Sequence, residues 1–240
     1  MKNKKTICII GAMECEVENL KQKLQGFKTA HHGQMIIYTG KIHSHDVVLT
    51  QSGVGKVNAA ITLQYIIDKY NPDIIINTGI AGGISSELSV ADIVIGTELV
   101  QHDFDVSAIG YAKGYMCTGI NPDKPTVFCS DESLIAKYEE VISGMIPEIK
   151  IHKGIIASGD IFVSDNNRKK EIKNIFNAAA VEMEGAAIAQ TACKNEIPFI
   201  VLRAISDLAD DNAAREHEFV ETRAAEISAL SVEKLLEKLD

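Results

Sequence analysis

Apolar residues in this chain come in runs of strand length, and between them the pattern switches to helical spacing. Residues 6–10 form the first such run; Gly11-Ala12 then turn into residues 13–20, which predict a helix reaching about Leu24. Residues 35–40 and 46–50 predict two strands joined by a turn at 43–46. A glycine-rich loop at 51–58 opens a helix to about Tyr70, stopped by Asn71-Pro72. Residues 73–78 are almost continuously apolar, as in strands buried on both faces, and a break is expected at Gly79-Ile80-Ala81-Gly82-Gly83. Further strands are expected at 91–96, 153–159, 178–181 and 198–205, and an irregular loop at 101–125. Helical spacing returns at 130–146, with Ser130 as N-cap, at 185–193 and at 213–239. This alternation predicts the α/β class, a mixed and mostly parallel sheet wrapped by helices.

Acidic residues stand where three of these strands end. Glu182-Met183-Glu184 follows the run ending at Val181, Ser206-Asp207 follows Ile205, and Glu14 and Glu16 follow Gly11-Ala12. Ligands of open α/β sheets bind outside the carboxyl ends of the strands, so the three acids are expected to share one pocket. Glu184, with Gly185 and Ala186 leaving room beside it, has only acceptors to offer, and two adjacent sugar hydroxyls can both donate to it. Taken alone, a glutamate there also reads as a helix cap. The glycines of residues 79–83 allow backbone N–H groups to approach a ligand closely. Phe162 offers a ring for stacking or for packing its own loop.

The glycine loop at 51–58 is no nucleotide motif. A Walker A loop needs Gly five residues before Gly55-Lys56 and Ser or Thr after, where Thr50 and Val57 stand. The dinucleotide pattern fails at Asn58.

Composition narrows the classes further. The 240 residues are read as one domain spanning 1–240. Lys and Arg number 24 against 33 Asp and Glu, a net charge of −9, which argues against nucleic acid as a partner. No membrane-spanning run or leader is visible, so a cytoplasmic location with no membrane partner is expected. The five cysteines are widely spaced without C-x-x-C, which supports neither a disulfide framework nor zinc. His31-His32 and His43-Ser44-His45 read as exposed turn histidines, so no metal is expected.

Ile10-Gly-Ala-Met-Glu14, Ser52-Gly-Val-Gly-Lys56, Asn77-Thr-Gly-Ile-Ala-Gly-Gly83, Ser158-Gly-Asp160, Val181-Glu-Met-Glu184 and Arg203-Ala-Ile-Ser-Asp207 together resemble the 5'-methylthioadenosine/S-adenosylhomocysteine nucleosidases of the purine nucleoside phosphorylase superfamily. The resemblance runs through nearly the whole chain in the family's order. It implies a three-layer α/β/α sandwich around a central mixed sheet, a homodimer, no cofactor, and hydrolysis of the bond between adenine and ribose in methionine salvage. By the same resemblance, Glu16 activates the water and Asp207 protonates the adenine. Glu184 holds the ribose hydroxyls, with Met183 beside the sugar and Glu182 nearby. Phe162 stacks on adenine, Val163 contacts it through its backbone, and Ser206 and Arg203 support the site. Ile80, Ala81 and Gly82 form the glycine loop against the substrate. Met13, Val54 and Val106 surround the 5' substituent, the last from the neighbouring subunit.

Differences from the family gather at the 5' end: Ile80 replaces a usual Ser, Ile109 and Cys117 replace a Phe and a Pro, and the segment 216–219 is one residue out of step with a usual lid Phe. They leave the 5' group open among methylthioadenosine, adenosylhomocysteine, 5'-deoxyadenosine and a larger substituent. A phosphorolytic relative would need a cationic phosphate pocket, and its arginines are replaced here by residues 11–14 and Asn77. A nucleoside sensor of the same fold would need neither Glu16 nor Asp207.

Overall fold

The computed structural model describes residues 4–118, 120–142, 149–211 and 213–239, the side chains of 214–221 excepted. Its strands are β1 (Thr6–Gly11), β2 (Gln25–His32), β3 (Met35–Ile42), β4 (His45–Gln51), β5 (Ile74–Gly83), β6 (Ile93–Gln101), β7 (Phe128–Cys129), β8 (Ile151–Ser158), β9 (Ala178–Glu182) and β10 (Phe199–Asp207). Its helices are α1 (Glu14–Lys23), α2 (Lys56–Tyr70), α3 (Glu132–Ile142), α4 (Asn166–Phe176), α5 (Gly185–Lys194) and α6 (Ala213–Lys238).

The period-two geometry of a strand explains why these runs carry no polar face. In β1, Ile7 and Ile9 pack with α1, α3 and α6, whereas Cys8 and Ile10 point the other way into a core with α2 and α5. A third cluster joins α4 to β8 and β9 through Ile172, Phe176, Ala157 and Val181. Helices therefore cover both faces of one mixed sheet, the expected α/β class.

One feature of the sheet goes beyond the alternation of elements. Strand β5 pairs in parallel with β1 and β10, β10 runs antiparallel to β6, β6 and β8 are parallel, β8 and β9 are parallel, and β9 returns antiparallel to β5. The five strands β5, β10, β6, β8 and β9 thus close into a ring, and β1, β4, β3 and β2 extend from it. Closure explains why β5 does not break at Gly79: its pairing with β10 continues through Gly79, Ile80, Ala81 and Gly82, and Gly82 and Gly83 pair with β9.

Other elements differ from the pattern. Strand β2 was not legible, because all eight of its residues are exposed and alternate no apolar face. Consequently His31 and His32 lie in a strand, not a turn, with His32 stacked on Tyr65 at 3.9 Å, and His45 is buried at the start of β4. The cap expected at Ser130 belongs to Asp131, whose Oδ1 accepts the Leu134 N–H at 3.0 Å; Ser130 Oγ donates instead to the Gly96 carbonyl. The helix expected to run to residue 146 is described to Ile142, and 143–148 lie outside the described residues. Helix α4, which was not anticipated, is capped by Asp165 accepting from the Asn167 and Arg168 N–H groups.

Candidate active site

The ends of β1, β5, β8, β9 and β10, with the loop after β4, surround a cavity of about 210 Å³. Ala12, Met13 and Glu16 enter from β1 and α1, Val54 from the glycine loop, and Ile80, Ala81 and Gly82 from β5. Ile161, Phe162 and Val163 follow β8, Val181 and Glu182 end β9 with Met183 and Glu184 just after it, and Ser206 and Asp207 end β10. The three acid-bearing strand ends therefore do share one pocket.

Glu16 sits at the third position of α1, where free backbone N–H groups and the helix dipole favour a carboxylate. Its Oε2 accepts from Ala12 N–H at 2.6 Å and Met13 N–H at 2.9 Å, and its Oε1 from Ile80 N–H at 3.0 Å. Burial nevertheless pushes its carboxyl above the ordinary range, against the pull of Arg203 and those N–H groups. A buried carboxylate with raised basicity is suited to take a proton from water. The approach is close: a Cβ on Gly79 would overlap Glu16 Oε1, which is why that position carries glycine.

Glu182 and Glu184, one residue apart, have separate surroundings. Glu182 Oε2 accepts from the Glu184 and Gly185 N–H groups at 3.0 and 2.7 Å, so the helix-capping glutamate is Glu182. It also pairs with Arg203 Nη2 at 2.5 Å, and Ser158 Oγ donates to its other oxygen. Burial opposes its charge, but Arg203, Ser158 and the Gly185 N–H hold its carboxyl below the ordinary range. Glu184 Oε1 instead accepts the Gly55 N–H at 2.7 Å and faces the cavity. Burial, followed by repulsion from Glu182, pushes its carboxyl up to about 8.

Arg203 does not line the cavity. It lies beneath, held by Asn77 Oδ1 at 2.6 Å, and Asn77 in turn donates to the Ile10 carbonyl at 2.9 Å. Its charge faces Glu182, Glu16 and Glu184, and these outweigh burial to keep the guanidinium protonated. Asp207 accepts from Ser206 Oγ at 2.9 Å and from Ala209 N–H at 2.8 Å. A Cβ on Gly82 would come within 2.9 Å of Asp207 Oδ1, so this glycine too reflects close approach.

Every residue expected from the resemblance borders this cavity except two. Arg203 supports it from below, and Val106, just before a short 3₁₀ turn at Ser107–Ile109, is not among the lining residues of its own chain. The side chain of Phe219 falls outside the described residues. Sequence reasoning assigned no role in the site to Ser158, Asn77, Ala12, Val181 and Ile161. Asn77 was discoverable as a polar residue amid the apolar run of β5, and Ser158 as the first residue of Ser-Gly-Asp; Ile161 carried no signal. Among the described residues, no group of three His, Cys, Asp or Glu side chains is arranged to hold a metal ion.

The phosphorylase superfamily matches residues 6–237. A curated 5'-methylthioadenosine/S-adenosylhomocysteine nucleosidase of Staphylococcus aureus is 43% identical over 234 residues, covering 97% of this chain and all of that protein. The crystal structure of the nucleosidase of the same name from Neisseria meningitidis, in complex with methylthio-immucillin-A, superposes with a TM-score of 0.91 at 40% identity, covering 97% of this chain and 99% of that one. Futalosine hydrolase of Helicobacter pylori superposes with a TM-score of 0.90 at 31% identity, covering 98% of each chain. With the phosphorylase match along almost its full length and a full-length relative at 43% identity, this chain belongs to the 5'-methylthioadenosine/S-adenosylhomocysteine nucleosidase family of the phosphorylase superfamily.

Proposed function

We propose that the protein, acting as one domain over residues 1–240, hydrolyses the N-glycosidic bond of 5'-methylthioadenosine and S-adenosylhomocysteine, and of 5'-deoxyadenosine, releasing adenine and the 5-substituted ribose. The observation that carries this reading is the convergence of Glu16, Glu184 and Asp207 on one cavity. Cleavage of such a bond passes through an oxocarbenium-like sugar, and a pocket lined by carboxylates with the Arg203 guanidinium set beneath stabilises that positive charge. Glu16 takes a proton from the attacking water. Asp207 donates one to the departing adenine, with Ser206 fixing its carboxyl. Glu184 receives the ribose hydroxyls, with Met183 and Glu182 at the sugar, and Arg203 holds Glu182 in place. Phe162 stacks on the base, beside Val163. Ile80, Ala81 and Gly82 back the sugar, and Met13 and Val54 border the 5' group.

Water rather than phosphate is the nucleophile in this reading, because no Lys or Arg is among the described residues lining the cavity and Glu16 repels an anion. The chain is assigned to the cytoplasm; no described helix is long and apolar enough to cross a membrane. It is assigned to a homodimer in which Val106 reaches the partner's 5' pocket. Exposed Val57 and Ile61, one turn apart on α2 beside the pocket residue Val54, and exposed Ile109 support that assignment.

The test is adenine release in phosphate-free buffer from methylthioadenosine, adenosylhomocysteine, 5'-deoxyadenosine and adenosine. Release by the wild type, with Asp207→Asn and Glu16→Gln each reduced about 10²- to 10⁴-fold, is expected. Release that requires phosphate would identify a phosphorylase, and silence with all four would overturn the substrate class. The altered 5' end, with Ile80 lining the cavity, favours as second reading a related purine nucleoside hydrolase with a different 5' group, which would show as silence here and activity on a larger nucleoside.

A further inference from the structure

Two glycine-bearing stretches of the sequence, Gly53-Val54-Gly55-Lys56 and Ser158-Gly159-Asp160, meet at the start of α2. That helix has no acidic residue in its first turn and no side-chain cap of its own, so its free N–H groups turn to carboxylates from elsewhere. The Lys56 N–H donates to Asp160 Oδ1 at 2.8 Å, and the Gly55 N–H, one residue earlier, donates to Glu184 Oε1 at 2.7 Å. The Lys56 ammonium reaches Asp103 Oδ1 at 2.6 Å and Gln101 Oε1 at 3.0 Å, and Asp103 Oδ2 accepts the Asp160 N–H at 2.9 Å. Lys56, Asp160 and Asp103 thereby close a ring of contacts. Burial works against the charge on Asp103, yet Lys56 and the Asp160 N–H hold its carboxyl below the ordinary range. The fit is tight at Gly55, whose φ of 99° suits glycine and where a Cβ would come within 3.0 Å of Asp160 Oδ1.

We propose that Asp160, held by Lys56 and Asp103, is a positioning residue for Glu184: it fixes the first turn of α2 so that the Gly55 N–H stays on Glu184 Oε1 and turns the other oxygen toward the ribose hydroxyls. This rests on the reading that Glu184 receives those hydroxyls. The side chain of Asp160 acts on the sugar end of the site and not on the base. The backbone of its own loop is anchored independently, Gly159 N–H by the Glu182 carbonyl at 3.1 Å and Asp160 N–H by Asp103, so Phe162 and Val163 keep their places when the Asp160 carboxylate is removed.

The experiment measures ligand affinity in an Asp207→Asn background, where the nucleoside stays intact. Adding Asp160→Ala is expected to weaken methylthioadenosine about tenfold or more while adenine binding stays within about twofold, the size of one hydrogen bond to a charged group. Asp160→Asn, whose amide oxygen still accepts from Lys56, is expected to restore most of the nucleoside affinity. In a Glu184→Ala background the Asp160→Ala effect should vanish. Lys56→Met serves as a second variant, with the same selectivity between nucleoside and base expected. Equal losses for adenine and nucleoside, no loss for the nucleoside, or a full loss that persists without Glu184 would overturn the proposal. Failure of the wild type to release adenine would overturn the hydrolase reading instead, independently of these binding ratios.

Discussion

Arg203, beneath the cavity, and Glu182, in its wall, form an ion pair of 2.5 Å with both side chains almost fully enclosed. The guanidinium pulls down the carboxyls of Glu182, Glu184 and Glu16 alike. Removing one member of a buried pair leaves the other uncompensated, at a cost of about 3–5 kcal/mol. Arg203→Met is therefore expected to lose that much stability in urea unfolding. Adding Glu182→Gln should recover part of it, giving a clearly non-additive double-mutant cycle.

Glu184 makes stability depend on pH in the opposite sense from most carboxylates. Its folded value near 8 lies above the ordinary 4.5, so the fold is favoured while it is protonated. That contribution is whole below about pH 4.5 and is lost as the pH rises through about 8. Glu184→Gln removes the titration, retains an oxygen for the Gly55 N–H, and should be more stable than the wild type by on the order of 4 kcal/mol at pH 8. The difference should shrink toward zero near pH 4.5 in thermal melts. Above about pH 8, where Glu184 is ionised, the same variant should bind nucleoside less tightly, because an amide oxygen is a weaker acceptor for the diol than a carboxylate.

At Gly79, alanine is permitted by the backbone but not by the space. Its methyl would displace Glu16 Oε1 from the Ile80 N–H. Gly79→Ala is expected to cost about 1–3 kcal/mol in thermal unfolding. Adenine release should fall about 100-fold or more, out of proportion to that loss, because catalytic geometry tolerates little displacement.

Ser158 spends its hydroxyl twice, donating to Glu182 and accepting the Ala186 N–H at 2.7 Å near the start of α5. Ser158→Ala leaves that buried N–H without its partner, with an expected loss of about 1–3 kcal/mol. A melting temperature lower by several degrees, with adenine release impaired but measurable, is the outcome to look for.

The runs that become β1, β5 and β10, the acids placed at strand ends, and the family to which the ordered motifs point are all legible along the chain. These were legible because each depends on neighbours in the chain: alternation, uninterrupted burial, a glycine before an acid. Strand β2 was illegible for the same reason, since its exposed residues alternate nothing. That Glu182 caps α5 and pairs with Arg203 while Glu184, two positions on, meets Gly55 emerges only from the folded chain. The same holds for the ring of five strands and for Asp160 meeting Lys56, 104 positions earlier. Such contacts follow from strand order and from which buried charges find partners when the sheet closes, and burial makes an unpaired group too costly to leave. No local periodicity encodes that pairing, because the partners become neighbours only once the ring has formed.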